Sequence, residues 1–312
     1  MCIREVDRIG VSKKAARKQG MKFIHSKKVK NEVRKISMQF ANYVRDNFDI
    51  KKLHNVTQEH YKAFLASKSH TTLDYRRGIE THLNLLQKGL QRRSERFGKE
   101  QVQFVPEKRL IPSRGRLEGV SDRSIKNASV IERLKENVSR NVSNSIDLMH
   151  RMGFRVDGVV SIKVKDVDFE KGVVGVTEKG GRHREVPIPK GFEKKLAGMI
   201  EGKETHERLV PIKKGTVSDA IKEASRKINM QDYTGTHAFR HTYCRDRVDE
   251  IMTKGEKELL QRCLSQYAAG KNFNYGVHDQ ELYNSMKTKI DQIHAEVGHG
   301  KNRFDLALRY MR

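Results

Sequence analysis

Apolar residues in the first third of this chain recur at the spacing of a helix face. After a stretch rich in Pro, Gly and charge, that period gives way to a mixed pattern. Ile36, Phe40, Tyr43 and Val44 are spaced four, three and one apart, and Ile79, Leu83, Leu86 and Leu90 four, three and four. Each set falls on one side of an α-helix, and a one-sided helix must bury that side against a neighbour. Thr57 is placed to cap a further helix burying Tyr61, Phe64 and Leu65. Residues 25–105 therefore read as a bundle of three or four helices. Pro106, Pro112, Gly115 and Gly119 stand among charged residues, so 106–125 reads as a linker.

The pattern beyond the linker predicts a second, mixed domain over 126–312. A helix is expected around 128–152, ending near Gly153. Lys163–Asp168 reads as a strand, and Val173, Val174 and Val176 as another. Lys179-Gly180-Gly181 has the composition of a hairpin turn, with Glu185 to Pro189 as the returning strand. Val217, Ala220, Ile221, Ala224 and Ile228 mark a helix that Thr216 could cap. Met286, Ile290, Ile293 and Val297 mark another, just before Gly298-His299.

Charge narrows the partner. The formal net charge is +25 over 312 residues. The first 120 residues hold 28 Lys and Arg against 12 Asp and Glu, so +16 of that total lies there. Such a balance implies a polyanion, and residues 1–24 read as a basic arm. No apolar run approaches the length of a membrane span, and no secretory leader is visible. Cys2, Cys244 and Cys263 show no CxxC spacing, which points away from a zinc site or a disulfide framework and fits a reducing cytoplasm.

Five separated features carry chemistry. They are Gly153-Phe154-Arg155, Lys179 in the hairpin turn, His237 with Arg240 and His241 at the start of a helix, Gly298-His299, and Tyr310 eleven residues later. Singly each has an ordinary explanation: a surface arginine, a solvated lysine, a packed histidine, a core tyrosine. In this order they resemble the tyrosine recombinases, also called phage integrases. Thr177–Pro187 reads TEKGGRHREVP, like the family's lysine-bearing hairpin; His237-Ala-Phe-Arg240-His241 is similar to its H-x-L-R-H helix; Val297–His299 is similar to its LGH box.

The resemblance implies a fold that is mainly α with a small β-sheet, pairing a helical core-binding (SAM-like) domain with a mixed α/β catalytic domain. It implies Arg155, Lys179, His237, Arg240 and His299 as catalytic residues and Tyr310 as nucleophile, forming a 3′-phosphotyrosyl link to DNA. Two arginine forks suit a scissile phosphate. A phenol, with a pKa near ~10, needs a proton acceptor such as His237. A departing 5′ oxygen needs a proton, which Lys179 can deliver. His299 is placed to hydrogen-bond the phosphate. The link preserves bond energy, so no cofactor and no metal is implied. The implied partners are double-stranded DNA with a specific recombination site and a DNA-dependent homotetramer, with room for accessory DNA-bending proteins and no membrane. The implied location is the cytoplasm, at the nucleoid when DNA is bound. A type IB topoisomerase-like or resolvase-like strand transferase, or a catalytically silent DNA-binding relative, would share these features.

Two departures from the pattern stand out. The position three after Arg155, usually acidic, is Gly158, beside Asp157. The interval from Arg240 to His299 is also long, which predicts an inserted helix and loop at about 253–280.

Overall fold

The structure, a computed structural model, describes residues 2–11, 23–113, 115–117, 120–178, 181–271 and 279–312. It divides into two compact units, Met1–Gly115 and Arg116–Arg312.

The first unit is built on α1 (Lys27–Phe48), α2 (Gln58–Ala66) and α3 (Leu73–Arg96). Local chemistry sets their starts. Ser26 Oγ accepts from Val29 N at 3.3 Å, Thr57 N donates to His60 Nδ1 at 3.1 Å, and Thr72 Oγ1 accepts from Tyr75 N at 3.3 Å. The predicted stripes meet in one core, where Phe40 packs against Phe64 and Phe104. Within the stretch read as a basic arm, Cys2–Val6 forms a 3-10 turn. Val6 and Ile24 are buried with Val33 and Leu85, tied by Ile24 N to Val6 O at 2.9 Å. The rest of that arm, 12–22, lies outside the described residues.

The chain is packed from 102 into the start of the 106–125 stretch read as a linker. Val102, Phe104, Val105 and Ile111 are buried, though the segment has no regular structure. Buried N–H groups need partners, and α3 supplies them from two side chains. Gln87 Oε1 accepts from Phe104 N at 2.7 Å and Val105 N at 2.6 Å. Glu80 Oε1 accepts from Leu110 N at 2.8 Å, Ile111 N at 3.3 Å and Tyr61 Oη at 3.2 Å. Glu80→Ala would leave two buried donors, Ile111 N and Tyr61 Oη, and the part-buried Leu110 N without this acceptor. It is expected to destabilise this unit by about 2–4 kcal/mol, read as a lower urea midpoint.

The second unit carries α4 (Ala128–Glu136), α5 (Arg140–Arg151) and α6 (Val156–Val159). A sheet of β1 (Val167–Asp168), β2 (Val173–Glu178) and β3 (Arg182–Pro187) follows, then α7 (Glu193–Ile200), α8 (Lys214–Lys227), α9 (His237–Ile251), α10 (Lys254–Ala268), α11 (Gln280–Glu296) and α12 (Phe304–Tyr310). The sheet is antiparallel in the order β1-β2-β3, with Val174 opposite Val186 and Thr177 opposite His183. This is the mainly helical fold with a small sheet that the sequence implies.

Three local expectations are corrected. The helix expected over 128–152 breaks, because Asn137 turns its Nδ2 onto Arg133 O at 2.9 Å and Ser139 takes an extended backbone that starts α5. The strand expected at Lys163–Asp168 is mostly a 3-10 turn, Val164–Asp166, because Asp166 accepts from Lys163 N at 2.8 Å; only Val167–Asp168 joins the sheet, and Lys163 makes a single bridge to Arg208. Thr216 caps nothing, since α8 begins at Lys214 and its first turn closes by Val217 N to Lys213 O at 3.1 Å.

Apolar side chains of α4 to α8, the sheet and the start of α9 form one core, and those from Tyr243 on α9 through α12 a second. The predicted extra helix is α10. Thr253 caps it, and Leu259, Leu260, Cys263 and Leu264 are buried in the same core as Tyr310. Burial would raise the Glu256 carboxyl, but Lys289 at 2.6 Å, Ser285 at 2.6 Å and Thr253 N at 2.7 Å hold it down at about 2. Residues 272–278 of the expected 253–280 excursion lie outside the described residues.

Candidate active site

Five of the six nominated residues converge in the second unit. Arg155 follows Gly153, whose φ of +61° is left-handed. A Cβ at Gly153 would also stand 2.5 Å from the Tyr243 ring, so only glycine fits this turn. Arg155 is half-buried and begins α6. His237, Arg240 and His241 lie three and four apart on the first turns of α9, on one face.

The Gly298-His299 box is the stop signal of α11. Gly298 has φ +67°, Gly298 N donates to Ala295 O at 2.9 Å, and His299 N donates to His294 O at 2.6 Å. These two bonds are the Schellman pattern, so a glycine C-cap fixes where His299 leaves the helix. The His299 ring packs edge-on to His294 at 5.4 Å.

Tyr310 is the last residue of α12 and is 6% exposed. Its hydroxyl lies 2.6 Å from His237 Nε2. With the His237 proton on Nδ1, Nε2 accepts from the phenol. The Tyr310 ring stacks on His241 at 4.3 Å and lies 5.1 Å from the His299 ring. Arg240 is fully buried; its Nη1 donates to Gly153 O at 2.6 Å, its Nη2 donates to Val297 O, and His299 Nε2 lies 3.5 Å from Nη2. One guanidinium thus touches both the Arg155 turn and the His299 turn. Lys179 lies outside the described residues; the hairpin that carries it is paired at its base, Thr177 to His183. Asp157 is exposed and pairs with Lys214 at 2.8 Å, and Gly158 brings no side chain.

Electrostatics set the protonation states. Burial, then the charges of Arg240 and Arg155, pushes His237 down to about 4. Burial does the same to His241 and His294, also to about 4, and to His299, to about 2, where Arg240 adds to it. Burial raises the Tyr310 phenol, against the pull of Arg240 and Arg155. At neutral pH the site holds a protonated phenol facing a neutral imidazole among fixed cations. That arrangement can receive an anionic group and move a proton from the phenol. No group of residues suited to hold a metal occurs among the described residues.

These histidines make stability fall in acid. Each has a folded pKa below its unfolded value of ~6.5, so below that pH the unfolded chain binds more protons than the folded one. Their contribution is full above pH ~6.5 and is lost as pH falls towards 4, and for His299 towards 2. The melting temperature should drop by about 10 °C between pH 7 and pH 4.5, and His294→Leu should flatten part of that slope. Scanning calorimetry across this range is the check.

The sequence did not single out Tyr243, Glu296, Arg184 or His294, which surround the site. A signal existed for Glu296: it falls three after Ile293 on an apolar stripe, an acidic residue where burial is expected.

Residues 127–252 match the phage integrase family. The chain is 26% identical over 170 residues to tyrosine recombinase XerC from Bifidobacterium longum strain DJO10A, covering 52% of this chain and 45% of that protein. The XerC of Bifidobacterium longum subsp. infantis gives the same figures. The chain thus spans about half the length of the curated relatives it matches. Among solved structures, a lambda integrase (75–356) dimer bound to a COC′ core site aligns with TM-score 0.50 and 17% identity, over 86% of this chain and 94% of that one. XerH site-specific recombinase bound to palindromic difH aligns with TM-score 0.52 and 15% identity, over 81% and 71%. At such identity these two show a shared fold. Residues 127–252, from α4 to α9, are thus similar to the tyrosine recombinase, or phage integrase, family, which the XerC likeness also supports.

Proposed function

We propose that this protein is a site-specific DNA recombinase that cleaves and rejoins double-stranded DNA through Tyr310, serving integration or excision of a mobile element. The observation that carries the reading is the 2.6 Å contact between the Tyr310 hydroxyl and a neutral His237, beside Arg155, Arg240 and His299. In the cleavage step the phenol oxygen attacks phosphorus and its proton passes to His237. The bond from phosphorus to the 5′ oxygen breaks, and that oxygen takes a proton from Lys179. The products are a 3′-phosphotyrosyl link and a 5′ hydroxyl. Attack by a 5′ hydroxyl from another strand reverses the step, with no external energy source. Arg155, Arg240 and His299 offset charge gathering on the phosphoryl oxygens.

The partner is duplex DNA bearing a recombination site. The charge of +25 supports this, as do the family relatives: lambda integrase is seen bound to a core site and XerH to difH. The protein acts where that DNA lies, in the cytoplasm at the nucleoid. Exchange between two duplexes needs four strand cleavages, and each protomer has one Tyr310, so four protomers assemble on two sites. A chain of this charge repels its copies until DNA neutralises it.

The test is incubation with the DNA flanking its own gene, followed by denaturing electrophoresis. A covalent adduct that joins two sites into recombinants is expected. Adduct with relaxation and no exchange would indicate a topoisomerase-like strand transferase, and no adduct would indicate a silent DNA-binding relative. Lys179→Ala should slow cleavage of a normal 5′ oxygen by about 100-fold or more. A 5′-bridging phosphorothiolate needs little protonation on leaving and should restore most of the rate; equal defects on both substrates would remove Lys179 as the acid.

A further inference from the structure

Glu296 is a buried carboxylate to which the cleavage chemistry gives no task. It ends α11, three residues before His299, and is 5% exposed. Its carboxylate accepts from Tyr243 Oη at 2.8 Å, from Arg247 Nε at 3.0 Å and Nη2 at 2.8 Å, and from Gln292 Nε2 at 3.1 Å. Its backbone carbonyl accepts from Arg184 Nη1 on β3.

Two of these donors lead to the Arg155 turn. The Tyr243 ring occupies the space where a side chain at position 153 would stand. The Arg184 guanidinium lies over the Phe154 ring, 5.2 Å from its centroid. In the other direction, Glu296 opens the Schellman turn that presents His299. One residue thus joins the ring under Gly153, the strand beside Phe154 and the turn into His299.

The chemistry favours a carboxylate in this position. A leucine could fill the volume, but nothing would then fix the rotation of the Tyr243 ring or the height of its hydroxyl. A buried carboxylate gripped by the planar fork of Arg247 has its oxygens paired, and such charge-assisted bonds are short and directional. Burial and the Glu296 charge both raise the Tyr243 phenol, so it remains a donor. Groups acting together on one phosphate must keep their spacing to within about 0.5 Å.

We propose that Glu296, acting through Tyr243, is a positioning residue that holds the Gly153–Arg155 turn and the Gly298–His299 turn in fixed register. Its bearing on catalysis rests on the DNA-cleaving reading of the site; the holding itself does not.

The experiment uses the full chain with Glu296→Gln and Tyr243→Phe. The phenylalanine ring keeps the packing against Gly153 and loses only the bond to Glu296. If Glu296→Gln fails to fold, Tyr243→Phe carries the test. Two quantities are read well below the melting temperature: amide hydrogen exchange, and single-turnover cleavage alongside duplex affinity. In both variants, amides at 153–156 and 297–300 should exchange about tenfold faster, with α4 and α7 unchanged. Cleavage should slow by roughly 10- to 100-fold, with the DNA dissociation constant within about threefold. Unchanged exchange at both turns overturns the holding role, as does a uniform rise across the whole unit, which marks a general stabiliser. Faster exchange with wild-type cleavage overturns the bearing on chemistry. Absence of a Tyr310 adduct from the wild-type chain defeats the cleavage reading instead, and the exchange result still decides the holding role.

Discussion

Tyr310→Phe is expected to abolish covalent capture of DNA while leaving the fold and DNA affinity nearly intact. The substitution removes one oxygen. The ring remains in its core and keeps its stack on His241 at 4.3 Å, so the melting temperature should shift little. The bond to His237 Nε2 is lost, and with it the phenol oxygen that faces this histidine. Its neighbours are held back: the Tyr243 hydroxyl donates to Glu296 at 2.8 Å, and the Cys244 thiol is pushed up to about 12 by burial. Adduct formation should fall by at least about 10⁴-fold. Affinity should change less than about twofold, because many phosphate contacts share the binding. A denaturation-resistant adduct formed by the variant would sink the assignment of Tyr310.

Arg240→Ala is expected to lose both chemistry and stability, which separates it from the tyrosine variant. The sequence points to a phosphate-binding arginine. The structure adds that its side chain is fully buried and bonded to the carbonyls of Gly153 and Val297. Alanine would leave those carbonyls facing a cavity, at about 2–4 kcal/mol. It would also release the Arg155 and His299 turns from each other and remove a charge that pulls the Tyr310 phenol down. Cleavage should drop by about 10³-fold or more. Arg240→Lys keeps the charge but cannot span both carbonyls in one plane, so it should recover part of the stability and still cleave about 100-fold slower. Wild-type cleavage by the lysine variant would show that charge alone suffices.

Much of this architecture is legible in the sequence, because local rules agree with the tertiary outcome. The stripes of α1, α3 and α11 appear as spacings of three and four, the hairpin appears through its Gly-rich turn, and Gly298 is visible as a helix stop. Where local and tertiary demands diverge, the pattern misleads. Asn137 and Ser139 interrupt an apolar run that looks continuous, since one side-chain bond and one extended residue leave no periodic trace. Residues 106–125 have the Pro and charge of a linker, yet Glu80 holds the backbone of Leu110 and Ile111 from 30 and 31 residues away in sequence. The nominated site residues could be ordered by motif, but their support could not. Glu296, Tyr243 and Arg184 act through contacts between elements far apart in the chain, and nothing in one sequence records a pairwise contact.

The helix α10 also matters for anyone who would cut or graft this protein. It occupies the stretch that looks dispensable by sequence, an insertion between two chemical motifs. Its buried face nevertheless forms part of the floor beneath α12, and Gln261 Nε2 reaches Met311 O at 3.4 Å. Trimming it would strip four apolar side chains from the core that holds Tyr310. A deletion there would therefore report on the seating of Tyr310, whatever surface the helix also presents. The insertion is no removable module: the 254–268 stretch belongs to the smallest fragment that can keep Tyr310 in place.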